Sequence, residues 1–288
     1  MTQSLHALVI NLIAQNAGTL PGSVGELAYG AFYAAVQAVD PVLSAQMHDA
    51  QTRSAFSLSP LYGYWQSPQD KRIHVNPGQP GWLRLGLLDE ELFAVFMQHI
   101  LYSGLTGGAP TIRLGNVDFA IREVQGSPGS HPWSGYTTLA DLARLDETLD
   151  QTPGDLPTRW TLEFASPTAI RWQQADNGAR KVEVFPWPRI ALASLRSRWD
   201  KLTGDAYGLD FEEWVGRNLV VGRVWNWQTE PFAYKRQSYI GGFGKLQYVL
   251  LDPSNRRYAI HVHRLLHLAF FAGIGYKTTH GMGQVRVI

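Results

Sequence analysis

Apolar positions along the chain follow two rhythms, one of period two and one near 3.6, and each change of rhythm marks a new element. In the first half, "HALVINLIAQ" (6–15) has strand character, and "SVGELAYGAFYAAVQAV" (23–39) spaces Leu27, Phe32, Val36 and Val39 as a helix does. "RSAFSLSPLYGYW" (53–65) and "GWLRLGLL" (81–88) read as strands. "DEELFAVFMQHILYSG" (89–104) opens with helix-start acids and stops at Gly104, and "PTIRLGNVDFAIREVQ" (110–125) closes the half as a strand or hairpin. Prolines and a glycine in "DQTPGDLPTRW" (150–160) then break the pattern. The second half repeats the order. "RWTLEFASPTAIRW" (159–172) and "ARKVEVFPWP" (179–188) read as strands, and "RIALASLRSRWDKLTG" (189–204) as a helix stopped by Gly204. A long hairpin (218–251), a helix "RRYAIHVHRLLHLAFFAG" (256–273) and an alternating strand "GQVRVI" (283–288) follow.

Each half approximates β-α-β-β-α-β, which predicts an α+β chain of two tandem ferredoxin-like domains, over 1–152 and 153–288. The length of 288 residues accommodates two cores of that size. The absence of cysteine excludes disulfides, thiolate metal sites and cysteine nucleophiles, and permits a reducing compartment. No apolar run approaches a membrane span, and "MTQSLHALVINLIAQ" carries neither a basic leader nor a small-residue cleavage site, so a cytoplasmic protein is expected. The net charge of +1 is unevenly spread: residues 1–150 hold 7 Lys/Arg against 13 Asp/Glu, and residues 151–288 hold 18 against 11. That asymmetry suits a second half that meets a polyanion, or simply two solvated surfaces of opposite sign.

The last residues, "AGIGYKTTHGMGQVRVI", hold two glycine pairs, Gly273/Gly275 and Gly281/Gly283. A dinucleotide or Walker-type loop follows a strand and opens a helix; here a helix precedes, and five residues remain after Gly283. What is left is a loop between a helix and an edge strand, carrying Lys277, Thr278, Thr279 and His280. Free N–H groups, hydroxyls and one cation suit a phosphate backbone; the plainer alternative is a helix cap followed by a turn.

Five stretches together resemble a known family: "GIGYKTTHGMGQV", "LEFASPTAIRW", "PWPRIALASLRSRW", "IGGFGKLQYVL" and "MHDAQTRSAFSLSPL". In these the chain resembles the CRISPR-associated repeat-RNA-processing endoribonucleases, the Cas-six type of the RAMP superfamily, which are built from tandem ferredoxin-like (RRM-like) domains. The resemblance implies a metal-independent endoribonuclease that binds and cleaves CRISPR repeat RNA by 2′-hydroxyl attack, with no cofactor. It implies a C-terminal RAMP domain whose glycine-rich loop, Gly273, Gly275, Lys277, Thr278, Thr279, His280, Gly281 and Gly283, holds RNA. CRISPR repeat RNA is the implied partner, with effector-complex proteins and a homodimer left open. A non-catalytic RAMP-type RNA-binding subunit of an effector complex would share the same fold and loop.

The implied reaction needs a base for the 2′-OH proton, an acid for the leaving 5′-oxygen and positive charge near the phosphorane. The family's catalytic histidine maps onto His48, and Tyr33 matches a tyrosine that assists proton transfer in some members. Those members carry a lysine after the histidine; here Arg53 is the nearest basic residue, and arginine stabilises charge but donates no proton at neutral pH. Candidate phosphate contacts are Arg196, Arg198 and Lys201 on the second-domain helix, with Arg223, Lys235 and Arg236 on the hairpin. Arg196 and Arg198, two apart, cannot share one helix face. Trp225 and Trp227 alternate along "VWNWQ" and would share one side of the strand, as a stacking platform or as sheet packing. "HVHRLLH" places His263 and His267 at i, i+4, but no carboxylate lies between them as in a zinc helix, so no metal is expected.

Overall fold

Strand β1 (Ser4–Ala14) sorts its side chains by parity: Leu8, Ile10, Leu12 and Ala14 enter one core, while Leu5 and Ala7 enter another on the opposite face. The first core lies under two helices, α1 (Gly25–Val39) and α3 (Glu90–Leu105), which supply Phe32, Val36, Leu92 and Phe96. β1 is central in an antiparallel sheet ordered β3 (Phe56–Leu58), β5 (Pro80–Leu87), β1, β7 (Val117–Gln125), β6 (Thr111–Leu114). A further strand, β8 (Gly135–Thr138), pairs with the start of β1. The computed structural model describes residues 3–47, 55–67, 70–105, 110–145, 149, 156–173, 180–204, 206–234 and 237–288.

In the second half, β9 (Arg159–Thr168) is the inner strand of a sheet ordered β12 (Leu219–Tyr234), β13 (Gln237–Leu250), β9, β14 (Val285–Val287). The strand-to-position order matches that of β3, β5, β1 and β7, so both halves have ferredoxin-like connectivity. α5 (Pro188–Thr203) and α7 (Arg256–Ala272) cover one sheet face, burying Trp160, Leu162, Phe164, Leu246 and Tyr248 against Leu192, Leu195, Leu265 and Leu268. Leu5, Ala7, Leu88, Leu139 and Leu142 of the first half belong to this same core. Helix α7 is therefore packed on both sides.

Several short elements differ from the sequence expectation. Residues 53–65 were expected as one strand, but among the described residues the ladder is continuous only over Phe56–Leu58; past Pro60, which has no N–H to donate, pairing returns as a single bridge between Tyr62 and Trp82 before Gly63 turns at φ +89°. The stretch 159–172 divides at Ala169, after which β10 (Ile170–Gln173) leaves to form its own hairpin with β11 (Arg180–Glu183). Asp40 caps α2 (Pro41–Gln46), accepting from the N–H groups of Val42 and Leu43, and Thr138 caps α4 (Leu139–Ala143). Helix α6 (Leu209–Asn218) and the small β2 (Gly18–Pro21) and β4 (Arg72–Val75) pair are also additions.

Candidate functional site

The C-terminal loop leaves α7 at Gly273, makes one 3-10 turn at Thr278–His280 and enters edge strand β14. All four of its glycines have positive φ. At Gly283 a Cβ would lie 2.2 Å from the Ile274 carbonyl oxygen, and at Gly275 it would lie 2.4 Å from that of Ala169, so the chain packs on itself too closely for any side chain. The N–H groups of Gly273, Ile274, Tyr276 and Gly283 donate to the carbonyls of Ala269, Gly283, Ala169 and Pro167. Arg198, half-buried beneath the loop, donates to the carbonyls of Ala272 and Gly275 and to Thr278 Oγ1 at 2.8 Å. Burial lowers its pKa to about 10, and it remains a cation at neutral pH. The expected open phosphate cradle is thus corrected: the glycines and Thr278 are spent on the loop's own shape, leaving Lys277, Thr279 and His280 half-exposed.

The loop also docks on the first half. His280 stacks on Tyr29 of α1 (4.6 Å, 7°) and meets Tyr234 edge-on at 4.8 Å. Its carbonyl oxygen sits where a Cβ on Gly25 would be, at 1.7 Å, so α1 can start there only with glycine. Below, Ser57 Oγ of β3 donates to the Phe271 carbonyl at 2.7 Å. Gln284 spans the junction: Nε2 donates to the Leu58 carbonyl (2.9 Å), while Oε1 accepts from Arg84 Nη1 (2.7 Å). Arg84 lies 1% exposed on β5, donates also to the carbonyls of Trp133 (2.9 Å) and Phe270, and rests on the Phe270 ring at 4.5 Å. Burial lowers its pKa to about 9. Sequence reasoning missed Tyr29, Arg84 and Gln284. The one signal was an arginine in the middle of the otherwise apolar "GWLRLGLL".

Comparison with known proteins bears directly on this arrangement. Residues 4–144 match the model of the CRISPR Cas6 N-terminal domain, and residues 162–285 match that of the CRISPR-associated endoribonuclease Cas6. The chain belongs to the Cas6 family. It is an endoribonuclease, and the enzyme is selected over the non-catalytic subunit. Among solved structures, a Cas6 product complex is 24% identical, covers 99% of this chain and 100% of its own, and superposes with a TM-score of 0.78. A second Cas6 product complex is 26% identical with a TM-score of 0.69 over 99% of both chains. Thermus thermophilus Cas6 is 23% identical over 100% and 99% of the two chains, with a TM-score of 0.68. No curated protein matches the chain. No helix among the described residues is long and apolar enough to cross a membrane.

Against this Cas6 frame the individual candidates separate. Tyr33 is half-buried on α1, one turn beyond Tyr29 and packed against the first core. His48 and Arg53 lie outside the described residues; the flanking described positions are buried Met47, which caps α2, and Ala55, which precedes β3. Arg196 does not point to a phosphate. It bridges Asp200 (2.9 Å) and Glu212 (2.6 Å) and donates to the Tyr207 carbonyl, tying α5 to α6. Arg198 holds the loop, so both arginines of that pair are engaged within the protein. Lys201 and Arg223 are exposed, and Lys235 and Arg236 lie outside the described residues. Trp225 and Trp227 do not share a face. A bulge at Asn226 (φ +50°) leaves Trp225 37% exposed opposite Lys245, while Trp227 packs edge-on against Phe164 and Phe185. His261 is fully buried, stacked on Tyr207 at 3.5 Å, and His263 Nδ1 accepts from Trp160 Nε1 at 3.0 Å, so both serve the core.

Proposed function

We propose that the chain processes CRISPR repeat RNA through a proton-transfer site at His48, in a first domain spanning 1–152, while a second domain spanning 153–288 holds the RNA. The observation that carries this reading is the docking of the glycine loop on α1 and β3, which lie on either side of His48 in sequence, with the short α2 between α1 and His48. The substrate's own 2′-oxygen attacks the adjacent phosphorus as its proton leaves to a base. The P–O5′ bond breaks, and an acid returns a proton to the 5′-oxygen. The products are a 5′-hydroxyl and a 2′,3′-cyclic phosphate, which opens with water to a 3′-phosphate. Histidine serves either proton role because its ordinary pKa lies near 6.5. Tyr33 assists proton transfer, and Arg53 stabilises the phosphorane charge. Of the sequence candidates, Lys277, Thr279, His280, Lys201 and Arg223 are the described side chains with exposed surface that we assign to RNA. Cytoplasmic action and association with effector proteins or a second copy belong to the same proposal, and light scattering of the purified protein tests the dimer.

The direct experiment incubates the protein with repeat RNA, with and without EDTA, followed by end-group analysis. Cleavage in EDTA with cyclic phosphate ends is expected. His48→Ala should lose roughly 100-fold or more in single-turnover rate, the scale of one acid–base group, while still binding the repeat. Wild-type activity in that variant refutes the assignment of His48.

A further inference from the structure

The outer rim of the glycine loop holds two cations in an unusual setting. Lys277 adopts a left-handed backbone (φ +58°), uncommon for a side chain of its size, and this aims its Nζ over the Tyr234 ring at 3.5 Å and over Tyr276 at 5.1 Å. Arg171, exposed on the β10–β11 hairpin, lays its guanidinium 3.8 Å over the Tyr276 ring. Neither cation has a carboxylate partner among the described residues. Beneath them Tyr234 and Tyr239 pack on a small separate core of Ala169, Phe232 and Met282, and Tyr239 lies 5.6 Å from Tyr276. The rim is therefore preorganised: two long side chains that would otherwise sample many rotamers are pinned on ring faces.

We propose that Arg171 and Lys277 form a two-cation clamp for the phosphodiester backbone of the bound RNA, with Tyr276 and Tyr234 as the surfaces that hold the cations in place. This deepens, and rests on, the reading of the chain as an RNA-cleaving enzyme. It brings the β10–β11 hairpin, which held none of the candidate phosphate contacts drawn from the sequence, into the binding surface. Burial and the neighbouring Tyr239 raise the Tyr276 pKa to about 12, so its ring stays neutral and its π-face attractive to cations at physiological pH.

The test measures binding of a 2′-O-methylated repeat RNA, which cannot undergo 2′-OH attack, by fluorescence anisotropy across a salt series. One lost phosphate contact lowers the slope of log K against log salt by about 0.7–0.9, and near 0.15 M salt that corresponds to roughly a five-fold weaker Kd. Arg171→Gln should show both changes, equally on the repeat and on a scrambled RNA of the same secondary structure, because a phosphate contact carries no base information. Tyr276→Leu should reproduce them without altering the charge, whereas Tyr276→Phe, which keeps the ring face, should bind as the wild type does. A wild-type slope and Kd in Arg171→Gln overturn the clamp, and so does weakening confined to the repeat sequence. If Tyr276→Leu does not fold, Arg171→Gln decides alone. Wild-type protein that binds no repeat RNA would instead overturn the functional reading itself.

Discussion

Replacing Gln284 by leucine tests whether the two halves are latched by polar contacts buried beneath the glycine loop. The side chain is 1% exposed, and its two ends serve different first-half groups, the Arg84 guanidinium and the Leu58 carbonyl. Leucine fills much of the same space, so the loss is polar and leaves no large cavity. Losing a hydrogen bond to a buried charge costs about 1.5–3 kcal/mol, and leaving the Leu58 carbonyl without a donor costs about 1–3 kcal/mol. The two overlap in part, giving a total of about 3–5 kcal/mol. At a specific unfolding entropy near 2.1 cal/mol/K per residue, 288 residues give about 0.6 kcal/mol/K, so the Tm should fall by about 5–8 °C in scanning calorimetry. Gln284→Glu should lose less, because its carboxylate neutralises a buried guanidinium that has only neutral acceptors. A Tm loss below about 2 °C for leucine, or a glutamate variant no more stable than the leucine one, would refute the latch.

Two further outcomes follow from the same geometry. Burial and the nearby Arg264 push the His261 pKa down to about 2, and burial with His267 pushes that of His263 to about 4. Below pH 6.5 the unfolded chain takes up protons that the folded chain refuses, so stability is full above that pH and falls as pH drops. The loss should total roughly 3–4 kcal/mol between pH 7 and pH 5, and a flat Tm over that range in thermal melts counts against it. Gly283→Ala imposes both a positive φ and a 2.2 Å contact with the Ile274 carbonyl. It should destabilise by at least about 2 kcal/mol, read as a shifted urea midpoint, whereas Gly129→Ala, also at positive φ but in open space, should cost less.

The β-α-β-β-α-β order of each half was legible because hydrophobic period alone distinguishes a strand such as Ser4–Ala14 from a helix such as Gly25–Val39. The same local signal placed the glycine loop between a helix and an edge strand. It misjudged the cations for a reason also contained in the pattern. Arg198 stands three residues after Leu195 and four before Leu202, in phase with the buried face of α5, so helical phase already argued against a solvent role. Arg84 could not be read in this way. It shares the β5 face with Trp82 and Gly86, opposite Leu83, Leu85 and Leu87, and that face is buried only because residues almost two hundred positions later cover it. The tryptophan pair failed through one backbone angle: a bulge at Asn226 turns Trp227 into the core, and alternation cannot announce a bulge.

The glycine loop thus has two rims with separable work. Its inner rim is packed and hydrogen-bonded to the ends of α1 and β3 through Gly25, Tyr29, Ser57 and Leu58, with no slack for independent movement. Its outer rim carries the cations and hydroxyls left to face solvent. A ligand gripped at the outer rim is therefore held at a fixed distance from α1 and β3, because the loop between them is a packed wedge and not a flexible tether. The four glycines serve that rigidity rather than opposing it: Gly273, Gly275 and Gly283 allow backbone approaches that a side chain would hold open, and Gly281 supplies a turn at φ +100°. Substitutions at the inner rim should accordingly register as unfolding temperature, and those at the outer rim as salt dependence of binding. A loop that merely closed over its ligand would give neither separation.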